Sequence, residues 1–187
     1  CPGSIELMQE YLNALNVADV GVIVVEPLVE RATTLLPIFK ALESRELPHM
    51  IFINKVDSMM ASVEDIVASL KAVSRHPLLL REWPIVEGES VVGHVDLISR
   101  RAFRYVEGEA SEEIPCPDGI SEEIELARGE LLEILADFDD TILEKLLEET
   151  LPDVDEIYAR AAEAMRRGQL VPVYFGSGEH HFGIRRL

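Results

Sequence analysis

The sequence predicts an α/β fold: a parallel sheet layered between helices, interrupted by an inserted mixed α/β unit. Three observations lead there. Residues 20–25, 50–53 and 170–175 form short, uncharged apolar runs, the pattern of parallel strands covered on both faces. Before the first run, between the first two, and after the second, apolar residues recur at helical spacing. Pro77 and Pro84 then mark a change of character, and weaker strand signals plus one long helical stripe intervene before the last run.

Taken in order, Ile5, Met8, Leu12 and Leu15 define an amphipathic helix over residues 4–17, with Ser4 as its N-cap. The strand over 20–25 stops at Pro27. Residues 30–44 read as a helix that Pro37 bends or breaks. After the strand over 50–53, Val63, Ile66, Val67, Leu70 and Val73 make one helical stripe, and residues 78–83 form a possible strand. Val91, Val92, Val95, Leu97, Ile98 and Phe103 suggest two short strands of a smaller sheet. Pro115 and Pro117 argue against a central strand in the polar stretch 108–119. Ile120, Ile124, Ala127, Leu131, Leu135, Phe138, Ile142 and Leu146 continue one stripe along a helix broken near Asp139 and Asp140. Val154, Ile157, Tyr158, Ala161 and Met165 repeat it, and Gly168 ends it. The expected organisation is one α/β unit split into residues 1–76 and 168–187, around an insertion over 77–167. Loop-closure entropy grows slowly with length, so such a detour is tolerated.

A chain of 187 residues, 48% apolar, has room for one substantial core and a small satellite. No run is long and charge-free enough to cross a bilayer and no signal-peptide pattern opens the chain, so a cytoplasmic location is expected. The formal net charge of -18 repels nucleic-acid phosphate and argues against a DNA partner. Acidic residues crowd positions 107–156, opposed only by Arg128 and Lys145, which fits either a basic partner or a solvated surface. Cys1 and Cys116 are too few for a disulfide framework, and His180 and His181 have no third ligand in register, so no metal site is expected. Asp137, Asp139 and Asp140 read as a polar helix face, and Trp83 as a packing anchor.

Residues 50–53 run directly into Asn54-Lys55-Val56-Asp57, where a buried strand opens into a loop. That edge is where open α/β sheets bind nucleotides. The Asp57 carboxylate offers two acceptors that match the ring N–H and exocyclic amine of guanine side by side, whereas adenine presents the wrong pattern. The Lys55 stem suits one face of a purine, and the Asn54 amide suits either the base or the loop itself. The alternative is a polar connection in which Asp57 or Ser58 caps the next helix.

Two further stretches join this one. Cys1-Pro2-Gly3-Ser4 leads straight into a helix, and the strand-like Val171-Pro172-Val173-Tyr174-Phe175 is followed by Gly176-Ser177-Gly178. In order and spacing the chain resembles the guanine-nucleotide domain of translational GTPases, most closely elongation factor G and its elongation-factor-G-like relatives. Gly93-His94-Val95-Asp96-Leu97-Ile98, Ala102-Phe103 and Ala136-Asp137-Phe138-Asp139-Asp140 look like the G′ subdomain inserted within that domain.

The resemblance implies a partial P-loop NTPase (G domain) fold. It makes Asn54, Lys55 and Asp57 the base-recognition motif, and sets Ser177 and Gly178 in the family's Gly-Ser-Ala. Pro2 and Gly3 match the Pro-Gly of switch II, and Ser4 stands at the position of the usual catalytic His. GTP or GDP is the implied cofactor, with Mg²⁺ held through residues outside this sequence. No Gly-x-x-x-x-Gly-Lys-Ser/Thr occurs in it, so these residues are expected to grip phosphate poorly and to hydrolyse little. No catalytic residue is assigned, because a serine hydroxyl reaches less far than an imidazole. The implied partner is the ribosome, through a large-subunit stalk protein facing the acidic insertion, with the factor itself a monomer. Two other readings compete: a protein-binding module with weak nucleotide chemistry, and a non-GTPase α/β enzyme. The second lacks any Cys-His, Ser-His-Asp or dinucleotide glycine pattern.

Overall fold

The computed structural model describes residues 8–88 and 90–187, without the side chain of Asp118. The expected switch residues Pro2 and Gly3, with Ser4, lie outside them. Helix α1 (Met8–Leu15) buries Leu15, and its Tyr11 hydroxyl donates to the Ile38 carbonyl at 3.3 Å. Strands β1 (Gly21–Val25), β2 (His49–Ile53), β3 (Leu78–Leu80) and β8 (Val171–Phe175) form a parallel sheet in the order β1-β2-β8-β3. Every residue of β2 and β8 is buried, as expected of central strands. β1 departs from that expectation. It is an edge strand with β2 on one side, and Val22 and Val24 are 45% and 58% exposed while Ile23 and Val25 face the core.

Pro37 breaks the helix expected over 30–44. Residues Val29–Leu35 form a 3₁₀ turn, and α2 (Leu36–Glu43) starts with the proline in its first turn, where a missing N–H costs nothing. Phe39 and Leu42 of α2 are buried in the first core. Helix α3 (Val63–Lys71) is capped by Ser62, whose hydroxyl oxygen accepts from the Asp65 N–H at 3.1 Å. Neither Asp57 nor Ser58 caps it; both lie in a separate 3₁₀ turn, Val56–Ser58.

The second sheet is antiparallel, in the order β4 (Glu82–Glu87), β5 (Ser90–Asp96), β6 (Ala102–Arg104), β7 (Glu112–Ile114). Pro84 lies inside β4 instead of bounding a strand, which is tolerated because β4 is an edge strand and needs no second ladder of N–H groups. The stretch 78–83 is divided between the sheets: Leu78 to Leu80 pair with β8, and β4 begins at Glu82. Arg81 is the join. Its N–H donates to Val173 and its carbonyl accepts from Leu97.

The long stripe becomes α4 (Ser121–Ala136) and α5 (Asp140–Leu147). Asp139 breaks it by accepting from the N–H groups of Thr141 and Ile142, so it is a cap and not part of a polar face. Asp153 caps α6 (Val154–Arg166) in the same way, and Gly168, at φ 65, ends it. Beside a small cluster of Met50, Phe52 and Tyr174 stand two larger cores: Phe39, Ile51, Ile66 and Phe175 in one, and Leu79, Leu97, Leu131 and Ile157 in the other. Between them lies a buried ionic junction. Arg186 meets Glu82 at 2.6 Å and also pairs with Asp96, while the Tyr158 hydroxyl donates to Asp96.

Candidate functional site

Because β2 and β8 are parallel neighbours, the loops leaving their carboxyl ends emerge side by side. Hydrogen bonds lace them together. The Gly176 N–H donates to the Ile53 carbonyl at 2.9 Å, and the Val56 N–H donates to the Gly176 carbonyl at 3.2 Å. The Asn54 side chain completes the link by accepting from the Gly178 N–H at 2.8 Å, while its own N–H prolongs the β1–β2 ladder to Val25. Of the two roles open to Asn54 in the sequence, it takes the loop-tying one.

Lys55 adopts a left-handed backbone, φ 62, and its ammonium donates to Glu26 at the end of β1. That bond, then the charge of Arg31, holds the Glu26 carboxyl below its ordinary pKa. Asp57 follows in the 3₁₀ turn, and its Oδ1 is buried with no hydrogen-bond partner. Ser177 is 0% exposed and its Oγ has no partner either. Buried polar atoms are normally satisfied, so these two oxygens, on loops bonded to each other, leave hydrogen-bonding capacity unused.

The backbone of the second loop has little latitude. Ser177 and Phe182 exchange N–H···O bonds of 3.0 and 2.9 Å, which closes the 177–182 turn. A Cβ on Gly176 would fall 2.3 Å from the Phe182 carbonyl oxygen, and Gly183, at φ 71, would place one 2.4 Å from that of Phe175. Glycine is required at both. A Cβ on Gly178 would meet Asn54 at an ordinary 3.5 Å, so alanine fits there without displacing the amide.

Sequence reasoning missed the residues that back this turn from the second sheet. Tyr105 stacks on Phe182 with centroids 4.8 Å apart and planes 4° from parallel, and its hydroxyl donates to the Phe175 carbonyl. Glu107 meets His180 Nδ1 at 3.1 Å. No local pattern announces contacts across more than seventy residues. An apolar groove of about 260 Å³, lined by Val67, Trp83, Leu126 and Leu131 among others, lies between α3 and α4 and includes none of the loop residues above.

A carboxylate acceptor, a hydroxyl and a cationic stem at the carboxyl edge of a parallel sheet suit a purine bearing N–H donors. Comparison with known proteins agrees with that chemistry. The family model described as the elongation factor Tu GTP binding domain matches residues 1–187. The chain belongs to the elongation factor Tu GTP-binding domain family. An elongation factor G-like protein from Synechocystis is 43% identical over 187 residues, covering 100% of this chain and 28% of that protein. Elongation factor G from Thermotoga neapolitana is 31% identical over 192 residues, covering 100% of this chain and 27% of its own. A crystal structure of a Thermus thermophilus protein superposes with a TM-score of 0.85 at 28% identity, over 100% of this chain and 28% of that one. This GTP-binding-domain chain thus spans about 28% of the length of the first of these relatives.

Proposed function

We propose that these residues form the guanine-binding part of an elongation-factor-G-like translational GTPase, with Asp57 as the group that distinguishes guanine from adenine. The unpartnered Asp57 Oδ1, on a loop bonded through Asn54 to the Gly178 N–H, carries the reading. In it, Asp57 accepts from the base, the Lys55 stem lies along the ring, Asn54 fixes the two loops, and Ser177 with the backbone at Gly178 completes the pocket. Residues 1–76 and 168–187 act as the G domain and 77–167 as its insertion. The intact protein binds GTP or GDP with Mg²⁺ and couples nucleotide state to work on the ribosome in the cytoplasm. Phosphate grip and Mg²⁺ contacts come from residues outside this sequence, so these 187 residues alone hydrolyse GTP insignificantly.

In the intact protein, GDP should bind in preference to ADP. Asp57→Asn replaces one acceptor by a donor and should cost about 1.5–3 kcal/mol, roughly a 12- to 150-fold loss of guanine affinity. Competition titration with GDP and ADP measures it, and equal binding of the two by wild type overturns the assignment.

A second reading is favoured by where the cations of the acidic stretch point. Arg128 is buried and donates to the Leu97 and Ile98 carbonyls, Lys145 is paired with Glu156, and Arg100 and Lys71 meet only Glu125 and Glu130 of α4, so the charge of Glu122, Glu123 and Glu133 stays outward. In this reading the insertion recruits a basic partner such as a ribosomal stalk protein. Charge reversal along Glu122 to Glu133 should abolish that binding, and added salt should weaken it in wild type. Binding insensitive to both counts against it.

A further inference from the structure

The 177–182 turn carries Ser177 and Gly178 toward the base loop, yet most of what braces it comes from the inserted unit. Phe182 closes the turn against Ser177 and stacks face to face on Tyr105, the residue after β6. Tyr105 is itself anchored: its hydroxyl donates to the Phe175 carbonyl at 3.3 Å, and His94 of β5 lies 5.3 Å from its ring. Two residues further on, Glu107 meets His180 Nδ1, and the Gly108 N–H points at the His180 carbonyl at 3.5 Å. A continuous path of contacts runs from the second sheet through Tyr105 and Glu107 to the turn, and from the turn through Gly178 to Asn54.

We infer that Tyr105 and Glu107, carried by the insertion, are positioning residues for purine binding, and act by holding the 177–182 turn against the base loop. The inference rests on the guanine reading of Asp57 above. Tyr105 supplies a fixed wall and Glu107 an adjustable one. His180 is faced by Glu107 from the segment after β6, by Asp57 from the base loop, and by its neighbour Glu179. The Glu107 bond, and then the charges of Asp57, Glu107 and Glu179, raise its pKa above the ordinary histidine value despite some desolvation. The sign follows: a raised His pKa gives a brace fully present below the unfolded value of about 6.5, and lost as pH rises through the folded one. Purine affinity should fall as His180 loses its proton.

The test is GDP affinity of the intact protein between pH 6 and 8.5. Wild type should weaken by about two- to fivefold over that range, the scale of a solvent-exposed ion pair. His180→Asn and Glu107→Gln, both at solvent-accessible side chains, should bind at the weaker level throughout, without that component of the slope. His180→Lys keeps the cation at every pH, so it should restore the tighter level at pH 8.5. Tyr105→Phe, which keeps the stack, should lose less affinity than Tyr105→Leu. Wild-type slopes in His180→Asn and Glu107→Gln, or no recovery in His180→Lys, overturn the positioning role while leaving guanine preference intact. Loss of guanine preference in wild type itself overturns the base reading, and this inference with it.

Discussion

At the scale of single residues, Ser177 allows a binding role to be tested apart from stability. Its hydroxyl is fully buried and has no hydrogen-bond partner, so the folded protein gains nothing from it. Removing an unsatisfied buried hydroxyl is neutral or stabilising, whereas removing one that bonds to a ligand costs about 0.5–1.5 kcal/mol of binding. Ser177→Ala should therefore leave thermal stability unchanged or raised and weaken GDP by about 2- to 12-fold. Unchanged GDP affinity would take Ser177 out of the purine site and leave Asp57 in it. Asn54 behaves oppositely, because its Oδ1 already holds the Gly178 N–H. The sequence made Asn54, Asp57, Ser177 and Gly178 legible because each lies in a short motif at a strand end. It gave no hint of Gly183, whose left-handed φ becomes necessary only when the turn folds back on Phe175.

At the scale of elements, periodicity carried the helices and failed where neighbours decide. The stripes of α3, α4, α5 and α6 are local properties of the chain, and the caps Asp139 and Asp153 sit at their breaks. Residues 78–83, by contrast, read as one strand and are divided between two sheets. Leu78 joins the first core and Leu79 the second, a partition set by the strands on either side and not by composition. β7 lies in the polar stretch where the prolines argue against a central strand, and it is an edge strand whose pairing with β6 sets Phe103 opposite Glu113. Val22 and Val24 read like Ile23 and Val25, and only the face of the sheet to which each points separates exposed from buried. Pro84 looked like a boundary because whether a strand is an edge is not written in the strand.

At the scale of the whole molecule, the two sheets are joined by buried charge as well as by carbon. Glu82, the first residue of the second sheet, accepts from the Phe175 N–H of the first and meets Arg186 near the end of the chain, with His94 3.8 Å away. Burial pushes Glu82 up to about 7 against the pull of Arg186, and burial, then Arg186, pushes His94 down to about 4. The two shifts act in opposite directions on folding. Between pH 4.5 and 6.5 the folded protein keeps a proton on Glu82 that the unfolded chain has lost, so this group lowers stability as pH rises. Over the same window the unfolded chain binds a proton at its histidine that buried His94 refuses, so that group raises stability as pH rises. Each shift corresponds to on the order of 3 kcal/mol across its full range, and side by side they largely cancel. Removing one should uncover the other. Relative to wild type, Glu82→Gln should become more stable as pH rises from 4.5 to 6.5, and His94→Asn less stable, in urea titrations at matched ionic strength. Parallel profiles for the two variants would mean that the carboxyl and the imidazole do not titrate as an opposed pair.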